Sequence, residues 1–175
     1  IMFEDGLGSL FTTNTKFTGN KVNTFHLFNS FDPNPPVHSI GAGGAIYLVG
    51  STVVATDCEF TSNTVTAIVV DGETLCTAQG GAIAGAVNAL RCKFESNAAR
   101  STQPAVNIPT CGSYGGAIYG DATVRECTFS QNLVTASNFT NNETWGGAIN
   151  GKVVATKCSF LSNGSAAGNS YGGAI

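Results

Sequence analysis

Charge is what this sequence most lacks. Lys, Arg, Asp and Glu together make up 11% of the 175 residues, less than half the usual share of a globular domain. Lys and Arg number 8 against 11 Asp and Glu, a net charge of −3. A nucleic-acid partner needs a basic footprint, so that partner class is excluded. Long apolar runs are missing too: none approaches the roughly 18 residues of a membrane-spanning helix. Strong helix formers are scarce, whereas Asn, Ser, Thr and 22 Gly abound, an all-β composition. No secretory leader is visible and the chain opens at Ile1, so a processed or excised segment is expected.

What is present is repetition. Gly80 to Asn97 reads GGAIAGAVNALRCKFESN, Gly115 to Asn132 reads GGAIYGDATVRECTFSQN, and Gly146 to Asn163 reads GGAINGKVVATKCSFLSN. From the first Gly to the Asn is 17 residues in these three units and 20 in the unit that starts at Gly43. From each Asn to the next Gly-Gly the intervening stretch is free, with 22, 16, 17, 13 and 8 residues along the chain. One fixed and one free part per unit is the signature of a solenoid.

Periodicity says which solenoid. Cys58-Glu59-Phe60, Cys92-Lys93-Phe94, Cys127-Thr128-Phe129 and Cys158-Ser159-Phe160 alternate, so Cys and Phe share one face of a strand. Stacking such strands in parallel, about 4.8 Å apart, predicts three kinds of inward ladder. They are Phe17, Phe60, Phe94, Phe129 and Phe160; Ile46, Ile83, Ile118 and Ile149; and a thiol ladder of Cys58, Cys92, Cys127 and Cys158. Asn20, Asn63, Asn97, Asn132 and Asn163 are expected at a corner, because Asn tolerates left-handed backbone and its amide can bond to the next coil. The glycine pairs are expected at the opposite bend. Asp57, Arg91, Glu126 and Lys157 alternate in sign, so neighbours on successive coils would attract. Arg125 is the misfit, sharing parity with Cys127. The expectation is an all-β, right-handed parallel β-helix of about five coils, one domain over 1–175, with variable loops on one edge and a loop insertion at 21–42.

Gly43–Ile46, Gly80–Ile83, Gly115–Ile118, Gly146–Ile149 and Gly172–Ile175, alternating with the five Phe-x-x-Asn tetrads, resemble the repeats of the chlamydial polymorphic outer-membrane proteins. Similar repeats occur in other surface β-helix proteins of bacteria and protists. The resemblance implies an autotransporter passenger, a β-helix displayed outside the cell that acts as an adhesin. The family's membrane barrel has no counterpart in these residues, so its transport mechanism is not carried over.

The cysteines fall into two classes. The four of the ladder stand in a line and include no Cys-x-x-Cys, which excludes a tetrahedral zinc site. A buried thiol packs as a small hydrophobe. Cys76 and Cys111 each lie four residues before a Gly-Gly, at equivalent places in the free stretches, and a disulfide between them is expected in an oxidising, extracellular setting.

No catalytic, metal or cofactor set emerges. Asp71 and Glu73 are a solvated turn pair, and His26 and His38 have no Cys or carboxylate partners in sequence. The free stretches are the better candidates, since coils in register would set them side by side. The first carries Phe25, Leu27, Phe28 and Phe31, which need cover from the helix flank or a partner. Tyr114, Trp145 and Tyr171 each precede a Gly-Gly and can pack on a loop base or stack on a sugar. Asn138 and Asn142 head glycosylation sequons, and Asn163 heads a third. The reading is a non-enzymatic surface adhesin or binding stalk, whose partner is a host or neighbouring surface protein or a glycan. The alternatives are a filament subunit, stacked end to end on identical copies because the last unit stops at Ile175, and a carbohydrate-active enzyme.

Overall fold

Nine residues other than glycine adopt left-handed backbone among those described, and they fall into two columns. Asn14, Asp57, Arg91, Glu126 and Lys157 (φ 49–55°) form one, and Ser62, Ser96, Gln131 and Ser162 (φ 53–57°) continue Gly19 in the other. Each left-handed residue costs roughly 1–2 kcal/mol and turns an extended chain sharply. Repeated at fixed intervals, the two turns fold every unit into the same polygon. The computed structural model describes residues 1–3, 8–25, 38–68, 75–102, 110–137 and 142–175, and among these it contains strands and no helix.

One rung shows the path. Ile83–Leu90 lies in the first sheet; a corner at Arg91 leads to Lys93–Glu95 in the second; a corner at Ser96 leads to Ala98–Thr102 in the third. Thr110–Tyr114 forms the fourth sheet, and Gly115-Gly116 turns the chain into the next rung. All strand pairs are parallel and link successive rungs. The first sheet has eight strands and the other three have five each, so three rungs are covered on both sides and two on one. The chain is a parallel β-solenoid.

The expected ladders are in place. Phe17, Phe60, Phe94, Phe129 and Phe160 stack with ring centroids 4.7–4.9 Å apart and interplanar angles of 1–6°, an offset stack set by the strand spacing. The three middle rings and Ile46, Ile83, Ile118 and Ile149 are fully buried, each contributing about 1.5–3 kcal/mol of apolar transfer.

The asparagine ladder is a closed hydrogen-bond chain. Asn97 Nδ2 donates to Asn132 Oδ1 (3.0 Å) and to the Phe60 carbonyl (2.8 Å), while Asn97 Oδ1 accepts from the Asn63 backbone N–H and Nδ2, both at 3.0 Å. Every polar group of this buried amide is therefore used. The left-handed residue at this corner is the one before each Asn, not the Asn itself. The side chain serves the corner by bonding along the axis, and its own backbone stays in an ordinary conformation.

The two motifs meet across the interior. A Cβ added to Gly116 would lie 2.6 Å from Leu133 N, one on Gly44 2.9 Å from Thr64 N, and one on Gly147 2.7 Å from Gly164 N; on Gly81 it would overlap Ala98 N. The glycine corner thus presses on the residue after each ladder Asn. This waist divides the interior into two cores. One, between the first and second sheets, holds the Phe, Ile and Cys ladders; the other, between the third and fourth, holds Val65, Ala67, Cys76, Ala78, Ala99, Cys111 and Val134.

Three sequence expectations change. The stretch 21–42 is not wholly a loop, because Lys21–Phe25 and His38–Ala42 are strands of the third and fourth sheets. Arg125 points outward and pairs with Glu126 at 3.2 Å, because the left-handed bend at Glu126 resets parity before Cys127. The three extra residues of the unit at Gly43 form a bulge: Tyr47 pairs Ala84 and Thr52 pairs Ala86, so Leu48–Ser51 face Gly85 alone. In the charge column, Arg91 binds Asp57 through two contacts of 2.7 Å, which holds the Asp57 carboxyl below its usual range.

Replacing Asn97 by Ala orphans the Asn63 N–H and removes the bonds of the amide to the Phe60 carbonyl and to the Asn63 and Asn132 side chains, a loss of about 3 kcal/mol. Asn20→Ala removes only a donor at the exposed first rung and is expected to cost under about 1 kcal/mol. Urea denaturation of the two variants checks the order; equal losses would show that the ladder is not the corner's support.

Candidate binding surface

The connection from the third sheet to the fourth leaves and returns at the same place in the first three rungs. Phe25, Ile68 and Thr102 are register partners at the point of departure, and His38, Leu75 and Thr110 at the point of return. The intervening residues 26–37, 69–74 and 103–109, with 138–141 in the next rung, lie outside the described residues. In the last rung Gly164–Ala166 and Asn169–Tyr171 are almost continuous. Variation in length is thus confined there to one corner of the polygon. His26, Leu27, Phe28, Phe31, Asp71, Glu73 and Asn138 fall within these segments, and the side chains of Phe25 and His38 are likewise outside the described set.

At the end of the fourth sheet, the column Gln79, Tyr114, Trp145 and Tyr171 runs along the glycine corner. Trp145 stacks on Tyr171 with centroids 4.2 Å apart, and its Nε1 donates to Glu143 Oε2 at 3.3 Å. Trp145 remains 39% exposed. Tyr114 bends back over Gly112, where an added Cβ would lie 2.5 Å from its hydroxyl, and its ring sits 6.0 Å from Tyr119. Burial pushes the Tyr114 hydroxyl pKa up, so it is a neutral hydrogen-bonding group at physiological pH. Of the aromatics expected to pack or to bind, Tyr114 packs on the fourth sheet and Trp145 offers a partly open surface.

The thiol ladder does more than fill space. Cys58, Cys92 and Cys127 are buried and Cys158 partly so. Cys92 Sγ accepts the Cys58 backbone N–H at 3.4 Å and lies 3.3 Å from the Leu90 carbonyl; Cys127 repeats both contacts at 3.3 and 3.2 Å. In the first rung Thr15 stands in the cysteine position, and its hydroxyl donates to the Thr13 carbonyl at 2.9 Å. The corner carbonyl already accepts a backbone N–H from the neighbouring rung, as Leu90 does from Asp57 at 3.0 Å, and the thiol adds a second contact to it. The hydrogen bond to Cys127 and burial push the Cys92 thiol pKa up, so it stays protonated.

Cys76 and Cys111 are in register, on strands, buried in the second core. The expected disulfide relied on loop freedom, which these positions do not have. Parallel strands aim both Cβ vectors the same way, and the structure holds all six cysteines as thiols. A hydrogen bond with Cys111 and burial push the Cys76 thiol pKa up.

Asn142 continues this inward column rather than a surface loop. It is fully buried; its Oδ1 accepts the Cys111 N–H at 2.8 Å and its Nδ2 donates to the Ser137 carbonyl at 2.7 Å. A glycan on that nitrogen is incompatible with this packing, so the sequon at Asn142 is structural. Asn163 is likewise engaged through Nδ2 with the Phe129 carbonyl at 3.0 Å.

Each of the six described side-chain carboxylates already has a partner. Asp57 pairs with Arg91, Glu59 with Lys16, Glu95 with Lys93 and Glu126 with Arg125. Asp121 accepts the Lys152 N–H at 3.1 Å, and Glu143 accepts from Trp145. Among the described residues no three His, Cys, Asp or Glu gather to hold a metal ion. Comparison with family models, with curated proteins and with solved structures returns no match for this chain.

If the thiols serve as hydrogen-bonding groups, Cys92→Ser is the milder change and Cys92→Val the harsher, despite valine's better fit to an apolar core. The expected difference is about 1–2 kcal/mol in urea denaturation, the cost of leaving the buried Cys58 N–H without an acceptor. Equal or reversed stabilities would reduce the ladder to packing.

Proposed function

We propose that the chain is a non-enzymatic, surface-displayed binding stalk, an adhesin in which a rigid β-solenoid presents variable segments from one corner. The observation that carries this reading is the register of the third-to-fourth-sheet connections. Four successive rungs release segments of different length and sequence from points one strand spacing apart, about 4.8 Å. Such a surface changes freely without touching the ladders.

The first of these segments, at 26–37, holds Leu27, Phe28 and Phe31. Large apolar side chains in such a connection suit contact with a partner protein or glycan. The paired state of the described carboxylates supports binding over hydrolysis. Display outside the cell rests on the resemblance of the tetrads to those of bacterial surface β-helices.

Replacing 26–37, 69–74, 103–109 and 138–141 together by Gly-Ser segments of equal length tests the reading in a cell-adhesion assay. Adhesion of beads coated with the chain is expected to fall to background while the melting temperature stays unchanged. Full adhesion by a folded, loop-replaced chain would contradict it.

A further inference from the structure

The first sheet is creased where the corner-to-corner path is longest. Gly85, Gly120 and Gly151 have φ of 139–152°, and a Cβ on Gly85 would lie 2.6 Å from the Leu48 carbonyl. Side chains are therefore absent along this crease. On one side stands the Leu48–Ser51 bulge; on the other, across the glycine corner, stand Gln79 and the aromatic column. Between them lies an open hollow of about 510 Å³, with Tyr47, Val49, Gln79, Ala86 and Tyr119 on its walls and Gly85 and Gly120 in its floor. That volume is within the range of ligand sites.

We propose that this hollow is a binding groove for a neutral, β-1,4-linked glycan chain. Three features identify the ligand. First, no described lining residue carries a carboxylate, ammonium or guanidinium group, so recognition by these residues relies on hydroxyl and amide hydrogen bonds, from Tyr47, Thr52, Gln79 and Tyr119. A further hollow along the same sheet does have charged residues, and there Asp121 is already bonded to the Lys152 N–H. Second, the groove pairs those polar groups with aromatic rings, the combination that suits the alternating C–H faces and hydroxyl rims of pyranose rings. Third, Tyr47 and Tyr119 are register partners of the same residue, Ala84, on opposite sides. They stand two strand spacings apart, about 9.6 Å. The repeat of an extended pyranose chain is close to one strand spacing, and a β-1,4 linkage flips alternate sugars. Two tyrosines two rungs apart therefore meet the same face of sugars separated by one unit. The tilt of Tyr119 against Tyr114 fixes one of these rings before any ligand arrives.

The groove is separate from the variable corner, with the fourth sheet between them, and it binds whether or not those segments do. The bulge that walls it belongs to the one unit whose spacing is 20 instead of 17.

Calorimetric titration with cellohexaose, β-1,4-mannohexaose and chitohexaose tests the proposal, with hexagalacturonate as the acidic comparator. At least one neutral hexaose is expected to bind, and Tyr47→Ala or Tyr119→Ala to weaken it about tenfold. Ala86→Trp, which fills the groove without altering either tyrosine, is expected to abolish binding; it decides the matter if a tyrosine variant fails to fold. The loop-replaced chain is expected to bind as the natural one does. Failure of all three neutral sugars, equal binding of hexagalacturonate, or binding that survives Ala86→Trp in a folded protein would each overturn the proposal.

Discussion

The approach of the glycine corner to the asparagine corner governs the rest of this molecule. At Gly44, Gly81, Gly116 and Gly147 there is no space for a single carbon between two stretches of backbone. The tetrads recur together because they are two sides of one contact. The asparagine amides tie the rungs along the axis, the glycines let the opposite wall reach them, and the waist so formed makes two narrow cores from one wide one. Narrow cores suit this composition. Ala, Val, Ser and Cys fill the second core, where an undivided polygon would require large side chains in every rung.

Much of this was legible from recurrence alone. In parallel stacking every position meets its own equivalent one rung away, so a column in the fold is a column in the aligned repeats. That is why the Phe, Ile, Cys and Asn ladders were readable without coordinates. Positions filled differently in each rung were not. Val65, Ala99 and Val134 share an inward column, but their sequence neighbours vary too much to mark it, and strands of the third and fourth sheets passed for loop. The misplacement of Cys76, Cys111 and Asn142 follows from that one error. Their burial had a signal in retrospect, since each sits at the same distance before a Gly-Gly, as a strand residue would.

The proposed binding surfaces divide along the same line. The variable corner was foreseeable as the place where spacing changes. The crease in the first sheet was not, because Tyr47 and Tyr119 follow Gly-Gly-Ala-Ile in only two of the units, with Ala84 and Asn150 in the others. Their relation is across rungs, and the small residue between them is what makes the hollow. The 20-residue spacing at Gly43 was the visible trace, now accounted for by the bulge opposite Gly85. A rigid, weakly charged rod with one changeable corner and one neutral groove suits contact with a partner.

The waist is open to direct observation by nuclear Overhauser spectroscopy. The close approach of the two corners predicts a strong contact between an α-proton of Gly81 and the amide proton of Ala98, residues on opposite walls of the same rung. A chain that keeps its strands but shows no such contact would have a single undivided interior, and the pairing of the two tetrads would need a different physical cause.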